Sequence, residues 1–94
     1  MKIEKIEKEI NKKIIDYIEK KINIEDLNNY VHKIDPSIIF SSLMNSKRWS
    51  KLCQLMEAIE DYDFYKDNGD ENITIKSIID YYNEKLKQIH IEKY

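Results

Sequence analysis

One glycine and one proline in 94 residues leave little material for turns. An all-β fold, which needs turn residues every few positions, is thereby excluded. The single cysteine, Cys53, cannot close an internal disulfide, so the expected setting is a reducing cytoplasm. Apolar runs never exceed three residues (Ile38, Ile39 and Phe40), which excludes a transmembrane helix of about twenty apolar residues. The opening MKIEKIEKEI mixes glutamate with lysine and lacks a signal-peptide core. Glycine-rich phosphate loops are missing, and His32, His90 and Cys53 form no metal or nucleophile motif. The expectation is one soluble, cytoplasmic domain over residues 1–94, with no enzymatic activity, no metal and no cofactor.

What the chain does have is isoleucine, eighteen of them, within an apolar share of 41%. That share is enough for a core, and the regular recurrence of isoleucine argues against disorder despite 36% charged residues. Ile3, Ile6, Ile10, Ile14, Tyr17 and Ile18 recur every three or four positions, predicting an amphipathic helix of roughly twenty residues. INIEDL predicts a second start: Asn23 as N-cap, Asp26 at N3, and Ile22 stapled to Leu27. Leu27, Tyr30, Val31 and Ile34 form its inner side.

Asp35 and Pro36 stop that helix and open another, with Ile38, Ile39, Phe40, Leu43 and Met44 inward. Ser46 is expected to cap the next, whose stripe is Trp49, Leu52, Cys53, Met56 and Ile59, reaching Tyr62 or Asp63. Whether residues 36–64 make one bent helix or two is left open. KDNGDEN is the one clear turn. Beyond it Thr74 is expected to cap a last helix, with Ile73 stapled to Ile78 and the stripe continuing through Ile79, Tyr82, Leu86 and Ile89. The expected fold is all-α, a compact bundle of four to five helices with short loops. Its predicted core is Ile6, Ile10, Leu27, Val31, Phe40, Trp49, Leu52, Met56, Ile59, Ile78, Tyr82 and Leu86.

Charge is unevenly spread. Residues 57–71 carry Glu57, Glu60, Asp61, Asp63, Asp67, Asp70 and Glu71 against Lys66 alone, a balance of −6. The whole chain is −2, so the remainder is +4. Like charges three or four apart weaken a helix by tenths of a kcal/mol each, and anions near a helix C-terminus oppose the macrodipole. The concentration costs local stability, which points to a use elsewhere; a solvated loop is the plainer reading. Tyr62, Phe64 and Tyr65 interleave with the acids and cannot all face one core, so they should divide into core and contact residues.

Rival readings fail on spacing. An EF-hand register with Gly69 at position 6 puts Phe64 where aspartate is required, and starting at Asp61 puts Lys66 in the glycine's place. SKRWSK is the one basic cluster with an aromatic, and Lys47, Arg48 and Lys51 are equally the solvent face of a helix that buries Trp49.

The order of IEKKINIEDLNNYV, WSKLCQLMEAIEDYD, an acidic turn and ENITIKSIIDYYNEKL resembles the colicin D immunity type. These are small helical proteins that protect bacteria from a co-encoded RNA-cleaving toxin. The likeness spans roughly residues 12–87, in order and spacing, while DPSIIFSSLMN fits it less well. It implies a bundle that covers a cationic RNA-binding cleft with carboxylates in place of phosphates.

The expected function is a non-enzymatic inhibitor of a basic nuclease toxin. Its partner-binding residues are Glu57, Glu60, Asp61, Tyr62, Asp63, Tyr65, Asp67, Asp70 and Glu71. It contacts no nucleic acid or membrane directly and is monomeric apart from its partner. The alternative is a structural or regulatory module that dimerises through its first helix, although Lys13 interrupts that seam.

Overall fold

The computed structural model describes residues 3–34 and 49–93, all helix and turn, with no strand among them. In order they are α1 (Ile3–Ile18), α2 (Ile24–His32), α3 (Ser50–Glu60), α4 (Tyr62–Asp67), α5 (Asn72–Tyr81), a π-helical turn (Tyr82–Leu86) and α6 (Lys87–Lys93). No described helix is long and apolar enough to cross a membrane. The expected Pro36 helix, with Phe40 in its core face and Ser46 after it, lies outside the described residues.

Ile10 and Ile14 of α1 are fully buried, and Ile6, Tyr17 and Ile18 pack against the same core. The apolar stripe of α1 is thus spent within the chain, which leaves little of it as a dimer seam. Helix α1 ends at Ile18, the last residue of its expected stripe, and the chain then reverses at Lys20, whose φ of 64° is left-handed. Lys20 N–H donates to the Tyr17 carbonyl and Lys21 N–H to that of Asp16, the paired bonds of a Schellman end. Lysine stands where glycine fits without strain, so Lys20→Gly should raise stability by about 0.5–1 kcal/mol. A lower urea midpoint for that variant would contradict this account.

Helix α2 opens as its sequence predicts. The Asp26 amide donates to Asn23 Oδ1 and the Asn23 amide to Asp26 Oδ2, each at 3.0 Å. Helix α3 is the centre of the bundle and packs against both α2 and α5. Trp49, Leu52, Leu55, Met56 and Ile59 are buried along it. Cys53 is half-buried, and loss of hydration, then the charge of Glu57, pushes its thiol pKa up.

Two expectations for the last third are corrected. Thr74 is not an N-cap: α5 begins at Asn72, Thr74 is fully buried, and its hydroxyl donates to the Ala58 carbonyl of α3 at 2.8 Å. Ile73 is accordingly no staple but 46% exposed. The buried tyrosine is Tyr81, with Tyr82 only partly covered and Ile79 exposed. The π-helical turn is the cause. Lys87 N–H reaches the Tyr82 carbonyl five residues back, so the wider turn lets Tyr81 and Leu86 share the inward side.

Tyr81 then donates its hydroxyl to Asn11 Oδ1 of α1 at 2.8 Å, and burial followed by the charge of Glu7 pushes its pKa up to about 12. Displaced sideways, Tyr82 meets His90 Nδ1 at 2.5 Å, while His90 Nε2 lies 3.3 Å from Glu19 at the end of α1. This chain of contacts ties α6 to α1.

Candidate protein-binding surface

A helix leaves its last carbonyls without intrahelical donors, and buried ones must find partners elsewhere. Two carbonyls near the end of α3 do so. Asn28 Nδ2 of α2 donates to Ile59 at 2.9 Å, and Thr74 of α5 donates to Ala58; both bonds are buried. With those carbonyls engaged from the sides, the chain turns at Asp61 (φ −84°, ψ 7°) and restarts as α4. Residues 50–67 are therefore two helices separated at Asp61.

The break sets which aromatic points inward. Tyr62 is 6% exposed and belongs to the core cluster, so it leaves the predicted contact set. The Lys66 ammonium lies 5.9 Å from its ring centroid, and burial followed by the charge of Glu25 pushes its phenol pKa up. Phe64 is 66% exposed, and Tyr65, half-buried, meets it edge to face at 6.0 Å. The structure thus exchanges Tyr62 for Phe64 on the outer side.

Glu57, Glu60, Asp61, Asp63, Asp67 and Asp70 are all exposed, and none makes an ion pair among the described residues. The segment's one base, Lys66, reaches away from them to Glu25 of α2 at 3.8 Å. Glu71 differs: it is half-buried, and its Oε2 is enclosed without a hydrogen-bond partner among the described residues. It stands at the margin of the surface. Gly69, with φ 77°, completes the turn where the Asp70 amide donates back to the Tyr65 carbonyl at 2.6 Å.

Some charged groups elsewhere have partners. Lys51 bridges to Glu84 across α3 and the π turn, and holds that carboxyl below its ordinary range. Tyr30 donates to Glu9 Oε2 at 2.6 Å under the Lys13 ammonium. No group of three or more His, Cys, Asp or Glu among the described residues is placed to hold a metal ion. Lys47 and Arg48 lie outside the described residues. Comparison with protein-family models, curated proteins and solved structures finds no match to this chain.

Proposed function

We propose that this protein is a non-enzymatic inhibitor of the immunity type. It binds a basic nuclease toxin, of the RNA- or tRNA-cleaving kind, and occupies its cleft from within the bacterial cytoplasm. The docking face comprises Glu57, Glu60, Asp61, Asp63, Asp67 and Asp70, with Phe64 and Tyr65 among them and Glu71 at the edge. One observation carries the reading: six exposed carboxylates on one short stretch have no ion pair among the described residues. A cleft built for phosphates is cationic, so such a face both steers its approach and complements it on contact.

The test is the triple variant Glu60→Gln, Asp61→Asn, Asp63→Asn, measured against a purified ribonuclease toxin domain at two salt concentrations. Neutralisation relieves like-charge repulsion but also removes the charges of Asp61 and Asp63 from the start of α4, where anions are favourable, so the melting temperature should change little. Association should slow about tenfold or more at low salt, and its salt dependence should flatten. Equal rates for parent and variant at both salts would reduce the cluster to a solvated surface.

A further inference from the structure

Phe64 is the one aromatic among the large apolar side chains left exposed in the described residues. Helix α4 has an inward side, occupied by Tyr62, and Phe64 is not on it. Its surroundings are local. The ring meets Tyr65 edge to face, and the Asn68 side chain donates to the Phe64 carbonyl at 2.8 Å. Ile73, also exposed, lies beyond the Gly69 turn in the first turn of α5. Lone apolar residues on a surface are ordinary. What distinguishes this one is its setting among unpaired carboxylates.

That setting selects the occupant. A symmetric dimer that covered Phe64 would bring two segments of −6 together, which repel. A cationic surface reverses the sign, and the carboxylates that oppose a symmetric pairing then guide the ring into contact. We infer that Phe64 is the central anchor of the docking face and enters an apolar pocket rimmed by lysine or arginine on a basic partner protein. The inference rests on the acidic face proposed above and adds its hydrophobic centre. The carboxylates govern the rate of encounter, and the buried ring governs the lifetime of the complex.

Two synthetic peptides separate these roles: an amphipathic helical peptide of leucine and lysine, and one of equal charge with serine in place of leucine. Each is titrated into the full isotope-labelled chain while the α4 amide signals are followed. The parent should bind the leucine peptide at least tenfold more tightly than the serine peptide. Phe64→Ala should erase that difference and keep the weak, salt-sensitive binding of the serine peptide. Its melting curve should match the parent's, because the ring is exposed. If the parent binds both peptides equally, or Phe64→Ala keeps the preference, the anchor is overturned and the acidic face stands. If neither peptide binds, or the triple variant binds both like the parent, the acidic face itself fails. Concentration-dependent sedimentation abolished by Phe64→Ala would make a second copy the occupant and overturn the inference.

Discussion

Replacing Trp49 by alanine should cost the fold about 3–5 kcal/mol, the range for emptying a buried aromatic site. Trp49 is the chain's one tryptophan, buried at the residue before α3 begins and part of the core cluster of the described residues. Its loss removes packing at the start of the helix that contacts both α2 and α5. Small domains hold together by about 5–15 kcal/mol in total, so the variant should sit near the edge of folding at 37 °C. Urea unfolding followed by far-UV circular dichroism measures the cost directly. Phe64→Ala, on the exposed side of α4, is the contrasting control and should stay within about 0.5 kcal/mol of the parent. A Trp49→Ala loss below about 1 kcal/mol would mean that its indole is not core packing.

The readable parts of the fold were those written in local chemistry. Asn23 and Asp26 form their reciprocal cap because both bonds lie within four residues. Ile10 and Ile14 are buried because a period near 3.6 leaves them no other face. Gly69 takes the one positive-φ glycine position at the turn that its sequence announced. Thr74 departs from its expected place because a threonine ahead of an apolar run has two uses. Its hydroxyl can cap its own helix or reach another, and the distant carbonyl of Ala58 decides which.

The structure buries Tyr81 where the helical period predicts Tyr82, for a related reason. A π-helical turn has no residue signature, yet it moves every later side chain by about one position. For the candidate surface, the concentration of acid is a sum over letters and could be read at once. Its aromatic content could not, since which of Tyr62, Phe64 and Tyr65 faces outward depends on the break at Asp61. The carbonyls just before that break are met by Asn28 and Thr74, residues thirty-one and sixteen positions away.

Those two residues carry the other large effect. Thr74→Val keeps the shape and the β-branch but removes the only hydroxyl proton the side chain has to give. It leaves the Ala58 carbonyl buried without that donor, a loss of about 1–3 kcal/mol. Asn28→Ala does the same to Ile59 and should cost a similar amount. The two carbonyls are neighbours on one helix end, so the double variant should depart from additivity, and the coupling energy measures how far they act as one clamp. The consequence reaches the candidate surface, because α4 starts three residues after Ile59 and takes its direction from the turn at Asp61. In the double variant, amide exchange across Tyr62–Asp67 should accelerate more than across Ile10–Ile18 of α1. Binding to a cationic partner should weaken although every surface carboxylate is still present. If Thr74→Val unfolds at the parent's urea midpoint and α4 keeps its protection, the Ala58 carbonyl has another donor and the clamp does not set the course of α4.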